Sequence, residues 1–158
     1  MSPTIVEREP VTVVGLQTRF EGDDSVVRAL WEAFGARWDE FDGLATTAAS
    51  YGVVTDFTPE PMAFDYLVGV PTAGTDDLPD DLSGDLVAVD VPGGTYARFE
   101  STLASFEADY EAVTTTWLAG SGYERRVAPE YERYGPEFDP DDPASRYEYY
   151  LPVRPSPA

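Results

Sequence analysis

The chain has no cysteine, no histidine and no lysine. Its 10 basic residues are all arginine, set against 30 acidic ones, for a formal net charge of -20 over 158 residues. Each absence removes a class of chemistry. Without cysteine or histidine there is no thiolate nucleophile, no histidine-based triad and no Cys/His zinc site. Disulfides are impossible, so cysteine usage says nothing about the compartment. No basic cluster is present to neutralise phosphates, which disfavours direct binding of DNA or RNA. No apolar run follows Met1 and no stretch approaches the length of a membrane span, so a cytoplasmic protein without a membrane segment is expected. Pro92-Gly93-Gly94 lacks the Lys and the following Ser/Thr of a phosphate loop. The acidic runs Asp76-Asp77, Asp80-Asp81 and Asp139 to Asp142 lack the EF-hand spacing and its closing Glu. They read as solvated loops, and neither a metal nor a cofactor is expected.

What is present supports one ordinary domain over residues 1–158. A hydrophobic content of 42% and an aromatic content of 13% are enough for a packed core. The acids are scattered along the whole length, not gathered into a tail. That favours a protein adapted to molar salt over one with a single acidic interaction surface or a nucleic-acid mimic.

Residues 11–20 are β-branched and mostly alternating, which reads as a strand. Glu21 to Asp24 break it and supply N-cap residues. From Ser25 to about Phe41, Val27, Leu30, Trp31, Phe34, Trp38 and Phe41 recur at steps of three and four and mark one helix face, which Gly43 ends. Strands follow at Tyr51 to Phe57 and Met62 to Val70. Asp76 to Asp85 reads as a connector. The same order then recurs. A long strand from Leu86 to Glu100 carries a bulge or bend at Pro92-Gly93-Gly94. A helix from Thr102 to Leu118 puts Leu103, Phe106, Tyr110, Val113 and Trp117 on one face, and strands run from Val127 to Tyr134 and from Arg146 to Val153. The expected fold is therefore α+β. Duplicated β-α-β-β units (about 8–72 and 85–155) form a curved antiparallel sheet with two helices on one face and a central cleft along the pseudo-twofold.

Within this pattern, Tyr131-Glu132-Arg133-Tyr134 sets a carboxylate among aromatics. Strand alternation puts Glu132 and Tyr134 on one face, with Tyr131 and Arg133 on the other. On local grounds alone Glu132 also reads as a solvated strand-face acid.

The order of several short motifs resembles the GyrI-like small-molecule-binding family, also met as the effector-binding domain of AraC- and MerR-type multidrug regulators. The matching motifs are Val14-Gly15, Leu30-Trp31, Tyr51-Gly52-Val53, Phe64-Asp65-Tyr66, Val91 to Phe99, Trp117-Leu118 with Ser121-Gly122-Tyr123, Pro129 to Tyr134, and Tyr149 to Val153. The resemblance implies a duplicated fold with a pocket in which Glu132 contacts flat, lipophilic cations. Tyr150, Tyr51, Tyr66, Trp31 and Trp117 are candidate walls. The tyrosines serve equally as core, and the two tryptophans as helix-face packing. The resemblance also implies an alternative, a cofactor-free hydrolase of electrophilic cyclopropane-containing genotoxins, with Glu132 as base and Tyr150 as proton donor. A third reading is a protein–protein modulator of the gyrase-inhibitor kind. Unlike the regulators, these 158 residues leave no room for a helix-turn-helix.

Overall fold

A computed structural model describes residues 2–59, 61–73 and 85–157. Strand β1, Thr4–Arg8, precedes the expected first strand β2, Val11–Phe20. Asp23 marks the next boundary: its carboxylate accepts the Ser25 backbone N–H at 2.9 Å and the Ser25 hydroxyl at 2.6 Å. Helix α1, Ser25–Ala36, starts there. The apolar spacing predicts one helix to Phe41, but the chain breaks at Arg37, whose ψ of 20° is not helical. A short α2, Trp38–Asp42, follows, and Gly43 ends it. Strands β3, Ser50–Pro59, and β4, Met62–Thr72, complete the first unit. The connector read at Asp76 to Asp85 lies outside the described residues except for Asp85.

The long strand expected from Leu86 to Glu100 is two strands, β5, Val87–Val91, and β6, Gly94–Thr102. Helix α3, Phe106–Glu111, begins four residues later than expected and continues as a π-helical stretch, Ala112–Trp117, and a closing turn, Leu118–Gly120. A three-residue strand β7, Tyr123–Arg125, comes next, then β8, Glu130–Tyr134, and β9, Arg146–Pro155.

All pairings are antiparallel, in the order β1-β6-β9-β8-β3-β4-β2-β5, with β7 on β9 off that path. Outward from the β8–β3 junction the order is β8-β9-β6-β1 in one direction and β3-β4-β2-β5 in the other. Each half is a β-α-β-β unit with one short strand added at its outer edge, so the duplication is one of topology. Strands β1 and β2 are consecutive in the chain yet lie towards opposite ends of the sheet, and so are β5 and β6. Only two residues join each pair, Glu9-Pro10 and Pro92-Gly93. The two ends must therefore approach each other, and the sheet curls. It does not close: no ladder joins β1 to β5 among the described residues.

The two faces consequently bury different cores. On the helix-bearing face, α1 covers Leu16, Tyr66, Val68 and Val70, while α3 covers Ala97, Phe99, Tyr149 and Leu151. Inside the curl, Val13, Val53, Leu67 and Val91 pack with Tyr51, Tyr96, Tyr131 and Tyr150. Among the described residues the buried side-chain polar atom without a hydrogen-bond partner is Arg126 Nε.

Candidate functional site

Strand β8 contributes alternate side chains to the two faces. Glu130, Glu132 and Tyr134 go to the helix-bearing face. Tyr131 goes into the curl, and Arg133 donates to Glu148 at 3.0 Å on that side. Directly across from Glu132 in the β3–β8 ladder stands Gly52. A Cβ at Gly52 would lie 2.4 Å from the Glu132 Oε1 atom and 2.4 Å from the Tyr66 hydroxyl, so only glycine leaves the gap. Through that gap the Glu132 carboxylate reaches over β3 to β4, where the Tyr66 hydroxyl donates to Oε1 at 2.5 Å. The Tyr134 hydroxyl, on the same face, also favours the charged form of the carboxyl.

Aromatics surround the pair. Trp31 of α1 stands edge-on to Tyr134, with centroids 5.0 Å apart at 81°, and packs against the core cluster that holds Tyr66. Tyr147 of β9 stacks on Tyr134 at 4.7 Å, and Phe138 packs against Tyr134 at 4.7 Å. The cluster sits at the β8–β3 junction, where the two halves meet.

The electrostatics single out Glu132 among three neighbouring glutamates. Glu130 accepts from Tyr149 at 2.5 Å and from Tyr110 at 2.9 Å, and pairs with Arg125 at 2.6 Å. Glu148, on the other face, is bound by both Arg98 and Arg133. Desolvation would raise its carboxyl, but hydrogen bonds and charge from the two guanidinium groups hold it below the usual range. Glu132 makes no ion pair among the described residues. Desolvation pushes its carboxyl up from 4.5 to about 7, and the hydrogen bonds from Tyr66 and Tyr134 only partly oppose this. Some of the residue's surface still meets solvent. Tyr66 and Tyr134 are themselves raised well above the ordinary range, by burial and by the nearby carboxylate, so both remain donors.

The structure thus brings together three of the six residues singled out in the sequence: Glu132, Tyr66 and Trp31. Trp117 closes the π-helical stretch and packs into the α3-side core with Leu118 and Tyr123. Tyr51 and Tyr150 are on the opposite face. They sandwich Tyr131, with ring centroids 5.5 and 4.6 Å apart and interplanar angles of 9° and 11°. The Tyr150 hydroxyl donates to Glu148 at 3.2 Å, not to Glu132. The cause is register: Tyr149, not Tyr150, lies across from Glu132 in the β8–β9 ladder. Four cluster members were not among those six: Tyr134, Gly52, Tyr147 and Phe138, the last read only as part of a polar loop. Tyr134 was available from alternation, Gly52 from the oddity of a glycine inside a strand, and Tyr147 only from the three-dimensional pairing.

A shallow cavity lined by Pro10, Thr12, Asp90 and Pro92 lies at the β5 end, away from Glu132. Its one carboxylate, Asp90, already accepts from Thr12 at 2.7 Å. Among the described residues no group of three or more acids is placed to hold a metal. No described helix is long and apolar enough to cross a membrane.

The profile of the GyrI-like small molecule binding domain matches residues 1–154. The chain belongs to the GyrI-like family. This GyrI-like domain is 28% identical over 157 residues to the transcriptional regulator BrlR of Pseudomonas aeruginosa, a match that covers 97% of this chain and 56% of BrlR. The chain therefore spans about half the length of the curated relative it matches. Among solved structures, SAV2435 bound to tetraphenylphosphonium superposes with a TM-score of 0.74 at 15% identity, over 98% of this chain and 94% of that one. The EcmrR C-terminal domain does so with a TM-score of 0.69 at 15% identity, over 98% of both chains. At these identities the likeness is one of fold.

Proposed function

We propose that the Glu132 cluster binds flat, lipophilic, cationic small molecules. Glu132 serves as the counter-charge and Trp31, Tyr66, Tyr134 and Tyr147 as the aromatic surround. One observation carries this reading: a desolvated carboxylate whose partners among the described residues are tyrosine hydroxyls. Such a group is costly while charged, and an arriving cation relieves that cost. Each ring face adds cation–π attraction of about 0.5–2 kcal/mol. SAV2435, which shares the fold, is bound to tetraphenylphosphonium, a lipophilic cation, and this supports the same class of ligand here. The scattered acids fit a protein adapted to molar salt. There the net charge of -20 steers little, because the screening length at 1 M is about 3 Å. Selectivity then rests on the enclosed carboxylate.

Tetraphenylphosphonium should raise the melting temperature of the wild type, and Glu132→Gln should abolish the rise while remaining folded. A cation lowers the Glu132 pKa, so binding expels a proton near neutrality. Affinity should therefore increase as pH rises from 6 to 8, through the value of about 7. Equal stabilisation of both proteins, independent of pH, would sink the proposal.

The same pKa favours a second reading, since a base poised near neutral pH is the most effective kind. In it, Glu132 takes a proton from water as the water oxygen bonds to an electrophilic cyclopropane carbon. The ring bond breaks, and a tyrosine proton goes to the departing electron pair. The Tyr66 hydroxyl, 2.5 Å from Glu132, supports this role for Tyr66, whereas the Tyr150 hydroxyl bonds Glu148 on the other face. A hydrolase would keep some affinity for such an electrophile in Glu132→Gln and lose product formation. A protein–protein modulator would be indifferent to Glu132 and respond to charge reversal on the surface.

A further inference from the structure

Acids outnumber arginines 30 to 10 in this chain, so an arginine without a carboxylate is conspicuous. Among the described residues, seven arginines form ion pairs: Arg19, Arg37, Arg98, Arg125, Arg133, Arg146 and Arg154. The other three, Arg8, Arg28 and Arg126, do not; Arg28 is solvent-exposed, whereas Arg8 and Arg126 are only partly exposed. Each of these last two lies over a tyrosine of the inner face. Arg8 is 4.8 Å from the Tyr150 ring centroid and Arg126 is 4.9 Å from that of Tyr96, and the two rings are 6.3 Å apart. Arg126 also covers Gly94, the residue paired with Arg8 in the β1–β6 ladder.

The donors and acceptors here do not balance. Arg8 Nε donates to the Tyr131 hydroxyl oxygen at 3.2 Å, and its Nη2 donates to that of Tyr51 at 3.4 Å. Both oxygens are thereby used as acceptors, and their O–H protons have no acceptor among the described residues. Arg126 donates through Nη2 to the Thr95 carbonyl at 3.1 Å, but its buried Nε has no partner. The neighbouring carboxylates on this face are already paired, Glu148 with Arg98 and Arg133 and Glu100 with Arg98 and Arg146. The result, among the described residues, is a cation with two adjoining hydroxyl donors, a second cation at the margin and no free acceptor.

We propose that this inner face is a second binding site, specific for a small oxyanion. Arg8 supplies the counter-charge, Tyr51 and Tyr131 supply hydroxyl donors, and Arg126 supplies flanking charge. Planar guanidinium donors suit the oxygens of a carboxylate or phosphate group, and charge-assisted hydrogen bonds of this kind are the strong ones. The site lies across the sheet from Glu132 and stands independently of the cation reading. It also gives Tyr51 and Tyr150 a place: Tyr51 as a donor, and Tyr150 as the ring on which Arg8 rests.

The test is isothermal titration of the purified chain with sodium benzoate and, separately, with sodium phosphate, at constant ionic strength held by sodium chloride. Saturable binding of at least one is expected in the wild type. The tighter of the two identifies an aromatic carboxylate or a phosphate group as the preferred form. Arg8→Met should weaken it by about tenfold or more. Tyr51→Phe and Tyr131→Phe, which keep the rings, should weaken it by less, and Glu132→Gln should leave it unchanged. Should Arg8→Met fail to fold, the two Tyr→Phe variants carry the test. No saturable binding in the wild type, or binding unaffected by the substitutions at Arg8, Tyr51 and Tyr131, overturns the proposal.

Discussion

At the scale of single residues, Glu132 makes the folded protein hold a proton that the unfolded chain gives up. Its pKa is about 7 when folded against 4.5 for the free side chain. The folded state therefore binds more protons between those values, and stability falls as pH rises through that window, then levels off. A shift of this size corresponds to on the order of 3 kcal/mol, present as destabilisation above pH 7 and absent below about 4.5. Urea unfolding of wild type and Glu132→Gln at pH 5 and pH 8 checks this. The variant should lack most of the wild type's loss between the two, and parallel losses would count against the desolvated carboxylate. The residue-scale facts were partly legible. That Glu132 and Tyr134 share a face follows from alternation within one strand. That Tyr66 bonds to Glu132 needed β3 lying between β8 and β4. Tyr51 and Tyr150 belong to equally plausible strand positions, and only pairing decides which face they take.

The scale of elements is where Gly52 acts. It is the gap in β3 that lets β8 and β4 touch side chain to side chain. Gly52→Ala places a methyl 2.4 Å from both partners, so either the strands part or Glu132 leaves Tyr66. A loss of about 1–3 kcal/mol is expected, as for other overpacked sites. If Glu132 is displaced towards water its pKa should also fall towards 4.5, which carboxyl titration by NMR would show. An unchanged stability and pKa would mean the gap is not needed. The elements themselves were well read where their cause is local: β2 runs over Val11–Phe20 as its alternation indicates. Arg37 was not foreseen, because Phe34, Trp38 and Phe41 keep helical spacing across the break. Its side chain pairs with Glu40 at 2.7 Å and with Asp85 at 2.7 Å, a contact 48 positions away in the chain. Pro92-Gly93 was read as a bend, and the chain does bend there. That the bend carries the chain from the β2 end of the sheet to the β9 side could not be seen in the local pattern.

At the scale of the whole molecule, 30 acids repel one another and 10 arginines cannot offset them. Most of the ion pairs involve partly exposed groups, each worth at most about 1 kcal/mol and weakened by salt. Repulsion is also screened by salt, and with three acids per arginine it is the larger effect. Melting temperature should therefore rise with potassium chloride from 0.1 to 2 M, most steeply below about 1 M, where the screening length contracts from about 10 to about 3 Å. A flat or falling curve would show that the excess charge carries no net destabilisation and would remove the main support for salt adaptation.

Chemistry by composition was settled in the sequence itself. A chain without His, Cys or Lys draws its ionisable side chains from carboxylates, tyrosine hydroxyls and guanidinium groups, and its strand and helix faces follow from periodicities of two and about 3.6 residues. The β-α-β-β duplication also shows there, because it is an order of local elements. Which residues meet belonged to the tertiary structure. Register is a property of two strands together, and a one-residue slip exchanges Tyr149 for Tyr150 across Glu132. The curl, in which Arg8 of β1 reaches Tyr131 of β8 and Tyr51 of β3, likewise depends on strands far apart in the chain finding each other.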